Sequence, residues 1–164
     1  MLRKEFEKFA ASIRPALVRR AAAICGSDEL AEDLTQDCLM KLWTIREKID
    51  SYSNPEALAM TIIYRMALND LRGRHQTIEI SNDLMPGCES SPEELIVIAE
   101  DNSTADRIIA QLPDAQRAII TMRHIDGLDN SEIAAIVGSS EGAVRTALCR
   151  ARRHIAEIFA EMDK

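Results

Sequence analysis

Aromatic residues make up only 4 % of this 164-residue chain: one Trp, two Tyr and three Phe. Large β-sandwich cores lean on β-branched and aromatic side chains, so that architecture is disfavoured. No apolar run reaches the ~20 residues needed to span a bilayer, and no membrane insertion is expected. The start, Met1 to Phe9, is charged and lacks the apolar core of a secretory signal, which points to a cytoplasmic protein. The four cysteines, Cys25, Cys38, Cys88 and Cys149, form no CxxC pair, and the three histidines lie far apart. Neither a metal site nor a disulfide scaffold is expected, and Cys25, Cys38 and Cys149 read as small buried hydrophobes. No compact set of carboxylates, His and Cys carries nucleophile or metal spacing, so the chain does not read as an enzyme and needs no cofactor. His124 and His154 read as helix-surface or interface residues.

What is present is apolar residue in quantity, 46 %, enough to fold one ordinary domain or two small ones. The net charge of -7 argues at first against nucleic acid. Its distribution removes the objection. Residues 1–75 carry 12 basic and 11 acidic side chains, and residues 105–164 carry 8 and 9. Residues 76–104 hold no Lys or Arg but seven acids: Glu79, Asp83, Glu89, Glu93, Glu94, Glu100 and Asp101. Pro86, Gly87, Ser90, Ser91 and Pro92 lie in the same stretch. Proline, glycine and charge of one sign together mark a linker, in which Pro92 to Ala99 could form a short helix. The expected organisation is all-α: a helical domain at 1–75, an acidic linker at 76–104 and a second helical domain at 105–164.

In the first domain, Phe6, Phe9, Ile13 and Leu17 keep one apolar face and predict a helix over 2–25, with Pro15 as a point of bending. Gly26 and Ser27 end it, and Ser27 or Asp28 caps a helix over 28–48. That helix carries the stripe Leu30, Leu34, Cys38, Leu42 and Ile45, with acids at its start and bases near its end, as its dipole favours. Glu32, Asp33, Gln36 and Asp37 form a polar surface opposite the stripe, ordinarily a solvated face. A polar loop from Asp50 leads to Asn54, which caps a helix over 55–72 opened by Pro55. Leu58, Ile62, Ile63 and Met66 are expected to turn inward, while Thr61, Arg65, Asn69 and Arg72 share a polar face. Arginines there serve solubility or phosphate contact, and both readings stand.

In the second domain, Leu112-Pro-Asp114 starts a helix to about Ile125. Asp126 to Asp129 is a turn, and Asp129 with Glu132 suits a capping box. Ile133, Ala134, Ile136 and Val137 give the short following helix its apolar side. Gly138-Ser139-Ser140 is a turn, and a last helix runs from about Ser140 to Met162 with Val144, Leu148, Ala151 and Ile155 inward. Short helix, glycine turn and longer helix make a helix-turn-helix pattern, with generic bihelical packing as the plain alternative. Residues 142–154 hold Arg145, Arg150, Arg152 and Arg153 and no acid, a basic island in an acidic chain. Gly142 costs helix propensity and permits close approach either of DNA or of a neighbouring helix.

Two segments together resemble one family. Ala31-Glu-Asp-Leu-Thr-Gln-Asp-Cys-Leu-Met-Lys-Leu-Trp43 and Met60 to Arg72 are similar to regions 2.1 to 2.4 of bacterial sigma-70 factors. Leu112-Pro113, Gly127-Leu128, Glu132-Ile133-Ala134 and Gly138 through Arg153 are similar to region 4. The chain therefore resembles the small, two-domain extracytoplasmic-function (ECF) group, over nearly its whole length except the linker. The resemblance implies a factor that binds core RNA polymerase and directs it to promoter DNA. The first domain would read and open the -10 element and the second would read the -35 element. It places Asp33, Gln36 and Asp37 at the polymerase clamp, with Leu39 and Trp43 supporting the core. It places Ser51, Tyr52 and Asn54 in the loop that captures a flipped base, where stacking offsets the cost of opening. Arg65, Asn69 and Arg72 fall on the helix facing the -10 DNA. Ser139, Ser140, Glu141, Arg145, Thr146, Arg150 and Arg153 fall in the -35 contact region. Ala147 stands where relatives often have a polar or basic side chain, and Asp70 lies near a position often aromatic. Many relatives are restrained by an anti-sigma factor, so one is expected here. The rivals are a one-component helix-turn-helix regulator acting without polymerase, and a helical protein–protein adaptor.

Overall fold

A computed structural model describes residues 1–74 and 102–163. Among these residues every regular element is helical, in two units that fall within Met1–Gln76 and Thr77–Lys164. The acidic connector and the helix expected after Pro92 lie outside the described residues.

The first unit is a bundle of α1 (Arg3–Cys25), α2 (Asp28–Thr44) and α4 (Pro55–Arg74), with a single-turn α3 (Arg46–Ile49) between the last two. Each long helix packs on the other two. Phe6, Ile13 and Leu17 of α1 meet Leu34, Cys38 and Leu42 of α2 in the core, and burial of this apolar face is what stabilises the amphipathic helices. Pro15 sits inside α1, exposed, and the carbonyl it leaves without a donor belongs to exposed Ala11, where water reaches it. Gly26 stops α1 in the left-handed conformation, φ 71°, with its N–H donating to the Ala22 carbonyl at 2.9 Å. Ser27 caps α2 by accepting from the Leu30 N–H at 3.3 Å. Asn54 Oδ1 caps α4 by accepting from the Ala57 N–H at 3.0 Å.

Two expectations for this unit need correction. The helix expected to Lys48 ends at Thr44, because the chain kinks at Ile45 (φ -100°, ψ 11°). There the Thr44 hydroxyl donates to the Met40 carbonyl and the Arg46 guanidinium donates to the Trp43 carbonyl, and the redirected chain buries Ile49 completely. The buried face of α4 is Ala59, Ile63, Tyr64, Ala67, Leu68 and Leu71, whereas Leu58, Ile62 and Met66 are only half-buried. Because α4 is gripped by two helices, its inward face centres on Ala59 and Ala67, whose small side chains let backbones approach.

The second unit consists of α5 (Asn102–Ala110), α6 (Asp114–Ile120), α7 (Asn130–Val137) and α8 (Glu141–Met162). The helix expected to run evenly to Ile125 widens after Ile120 into a π-helical segment, Thr121–Ile125. Its end is held by the Asp126 N–H on the Thr121 carbonyl at 3.2 Å and the Leu128 N–H on the Met122 carbonyl at 3.0 Å. Arg117 is buried because its guanidinium is used: it donates to the Leu112 carbonyl at 3.2 Å and to Asp114 at 2.7 Å. The capping box read from Asp129 and Glu132 forms in both directions, at 2.8 and 3.0 Å. Gly138 turns the chain at φ 72°, and Ser140 caps α8 by accepting from the Ala143 N–H at 3.1 Å. Val144, Leu148, Ala151 and Ile155 are all buried against the other helices, as their spacing predicts.

The cysteines divide. Cys25 and Cys38 are buried and form no disulfide, and burial pushes the Cys38 thiol up to about 11, which keeps it protonated and inert. Cys149 is buried but disulfide-bonded, against the reading of it as a simple hydrophobe, while Cys88 lies outside the described residues.

Candidate nucleic-acid interface

The helix-turn-helix of the second unit is α7, the turn at Gly138 and α8. The first turn of α8 presents little side chain. Ser140 spends its hydroxyl on the cap, and Ser139 is half-buried. Glu141 and Arg145, one turn apart, are exposed on the same face. Arg150 is half-buried and Arg153 exposed, three residues apart on a neighbouring face. Thr146 is the exception in this group. It is buried, with 8 % exposure, and its hydroxyl donates back to the Gly142 carbonyl at 3.0 Å. A side chain four residues along from a carbonyl on its own helix satisfies itself there, so Thr146 offers no donor outward.

A second basic group in this unit joins Arg123, which the sequence did not single out, to His124 and Arg152, which it did. On the π-helical segment, Arg123 donates to the Leu128 carbonyl at 2.9 Å. Next to it His124 Nε2 lies 3.5 Å from the Arg152 guanidinium of α8. Arginine can only donate, so Nε2 is the acceptor and Nδ1 carries the ring proton. Burial, then the charges of Arg152 and Arg123, hold the His124 pKa down to about 4, so the ring is neutral. Burial and the neighbouring Arg123 also lower Arg152. His154 bonds Gln116 at 3.0 Å. Both histidines therefore join helices, and the only sequence signal for this cluster was the density of arginine.

The first unit presents three separate polar features. On α2, Asp33, Gln36 and Asp37 are exposed together, with Met40, 64 % exposed, one turn further on. Glu32 is taken by a 2.5 Å ion pair with Arg14 of α1. Leu39 is half-buried, but Trp43 is not a core residue. At 37 % exposure it lies at the rim, edge-on to Phe6 with centroids 5.1 Å apart, under the Arg46 guanidinium at 4.2 Å. In the loop before α4, Ser51 donates to the Lys48 carbonyl at 2.6 Å and Asn54 is the cap, which leaves Tyr52 as the exposed ring. On α4, Arg65, Asn69 and Arg72 are exposed on one face, and half-buried Asp70 falls off that face. Among the described residues no group of His, Cys, Asp and Glu could hold a metal ion.

Two family models match the chain: Sigma-70 region 2 over residues 9–77, and Sigma-70, region 4 over residues 104–155. The chain is 33 % identical over 138 residues to the ECF RNA polymerase sigma-E factor of Escherichia coli strain K12, covering 75 % of this chain and 70 % of that one. It is 29 % identical over 161 residues to the ECF RNA polymerase sigma factor RpoE of Cereibacter sphaeroides, covering 92 % and 84 %. Among solved structures it is similar to the sigma factor RpoE of Bartonella quintana, crystallised in complex with the anti-sigma factor NepR. That match has a TM-score of 0.66 and 26 % identity, and covers 96 % of this chain and 98 % of that one.

Proposed function

The chain belongs to the sigma-70 family, in its ECF group, and acts as a sigma factor in transcription initiation; within that role we propose how its side chains divide the work. Asp33, Gln36 and Asp37 dock on core RNA polymerase. They form an exposed acidic and amide face of α2, and the neighbouring Glu32 is already used by Arg14. Tyr52 stacks on a base taken out of the -10 duplex, while Ser51 and Asn54 hold the loop's backbone in shape through their own hydrogen bonds. Arg65, Asn69 and Arg72 run along the DNA backbone beside it.

In the second unit the tip of α8 enters the -35 major groove. Arg145 reads a base edge, with Glu141 and Ser139 beside it, and Ser140 fixes the helix start. Arg150 and Arg153 lie along phosphates. Thr146 supports the helix rather than the DNA. The observation that carries the reading is Arg145, exposed near the start of α8 where residues 142–154 hold no acid, in the unit that matches region 4.

The protein acts in the cytoplasm with the polymerase, catalyses no reaction itself and requires no cofactor. An anti-sigma factor restrains it, as one is bound in the Bartonella quintana complex. Among the described residues no helix is long and apolar enough to cross a membrane. The decisive experiment is capture of the purified chain on core polymerase, followed by run-off transcription from a fragment library. Binding with new promoter selectivity is expected. Specific duplex binding without polymerase would favour a one-component regulator, and dependence on neither would favour an adaptor.

A further inference from the structure

Five glycines lie among the described residues, and three of them, Gly26, Gly127 and Gly138, have φ near +70°. The fold requires glycine at those turns, because side chains rarely adopt that conformation. The other two, Gly73 and Gly142, lie within helices at negative φ. A Cβ added at Gly73 would meet nothing within 4 Å, and one added at Gly142 would meet only Ser140 Oγ, at 3.9 Å. Among the described residues no neighbouring helix therefore approaches Gly142 closely. The protein's own packing would accept alanine there, and alanine would make a better helix.

The surroundings of Gly142 are correspondingly low. Ser140 turns its hydroxyl onto the Ala143 N–H, and Thr146 turns its hydroxyl onto the Gly142 carbonyl. Beside this bare stretch of main chain stand the exposed side chains of Glu141 and Arg145. A cylinder brought against the helix start would touch backbone at half-buried Gly142, at the edge of the face that carries Glu141 and Arg145.

From this we infer that Gly142 is the point of closest approach between α8 and the promoter duplex, and a determinant of -35 recognition. The space its missing side chain leaves is filled by DNA. A methyl group there would lift the helix start away from the groove floor, so Arg145 would reach its base edge less well. The inference rests on the -35 reading proposed above. It also gives a signature that a structural glycine cannot give, because stability and binding move in opposite directions.

The test uses the full-length chain assembled with core polymerase, and a -35 duplex selected from a randomised pool by the wild-type assembly. Gly142→Ala is expected to raise the melting temperature of the free protein. It should weaken binding of the selected duplex by about tenfold or more, the size of one groove contact. Gly142→Ser should weaken it further. Gly73→Ala should leave duplex binding unchanged. Unchanged duplex affinity in Gly142→Ala would overturn the inference, and so would a fall in its melting temperature, which would return the glycine to the fold. If the wild-type assembly selects no -35 element at all, the functional reading fails and this inference with it, an outcome distinct from indifference of the variant alone.

Discussion

The two units solve the same problem, exposing polar groups from a small helical core, in different ways. In the first unit the groups proposed to bind are kept apart from the core. Asp33, Gln36 and Asp37 occupy the outer side of α2, Tyr52 stands in a loop, and Arg65, Asn69 and Arg72 line the outer face of α4. In the second unit one helix does both jobs. α8 supplies Val144, Leu148, Ala151 and Ile155 to the core and Arg145 to the surface, and Thr146 and Arg152 are drawn partly or wholly inward. Substitutions in the first unit should therefore separate stability from binding cleanly. Those on α8 should mix the two.

The largest expected effect tests whether the units fail separately. Leu42 is completely buried in the first unit. Leu42→Ala should cost about 2–5 kcal/mol, through lost burial and the cavity it leaves. Urea unfolding followed by hydrogen exchange should place that loss in residues of α1, α2 and α4. Core polymerase capture should fall with it, while exchange protection in α8 stays as in the wild type. Equal loss of protection in both units would mean that they fold as one.

Next in size is a pair of surface changes. Asp33→Arg with Asp37→Arg should reduce polymerase capture by about tenfold or more, since like-charge contacts at an interface cost several kcal/mol. Both residues are exposed, so the melting temperature should hardly move. Arg145→Ala should do the reverse: polymerase capture unchanged, and -35 duplex binding weakened by ~1–3 kcal/mol. A loss that is equal for every duplex sequence would mark Arg145 as a phosphate contact. Crossed effects, with Arg145→Ala lowering capture by polymerase, would dissolve the contrast between the units.

Much of this organisation was legible because it is local. Caps are decided within four residues, so Ser27, Asn54 and the Asp129–Glu132 box could be read directly, and all form. The inward stripe of α8 was equally plain, because one long period sets it. What could not be read depends on partners distant in sequence. The inward face of α4 is set by two helices at once, which moves it from Leu58, Ile62 and Met66 toward Ala59 and Ala67. The rim position of Trp43 follows from the kink at Ile45, which brings Arg46 over its ring. Exposed polar faces at i, i+4 spacing were found, but burial of an individual member such as Thr146 was not. Its hydroxyl can be satisfied on its own helix, and composition carries no trace of that choice.

The smallest effect concerns acid, and it should fall on one unit. In the second unit His124 is held near a pKa of about 4, against an ordinary value of 6.5, by burial and by Arg152 and Arg123. A group whose folded pKa is depressed binds protons more readily when unfolded, so acid favours unfolding. The stability tied to the neutral ring is intact above about pH 6.5 and is lost as pH falls toward 4. Asp129 adds to this at lower pH. The Glu132 N–H, and then the Ser131 hydroxyl, hold its carboxylate below the usual range, so its contribution goes as pH falls through the carboxylate range. Among the described residues the first unit contains no histidine. Melting followed by exchange at pH 7, 6 and 5 should therefore show α6 to α8 loosening first, with α1, α2 and α4 little changed. His124→Gln keeps an acceptor for Arg152 without a titrating ring, and it should flatten that pH dependence while leaving the melting temperature at pH 7 nearly unchanged. A pH profile that His124→Gln does not alter would assign the acid sensitivity to other groups, and would remove the asymmetry between the two units.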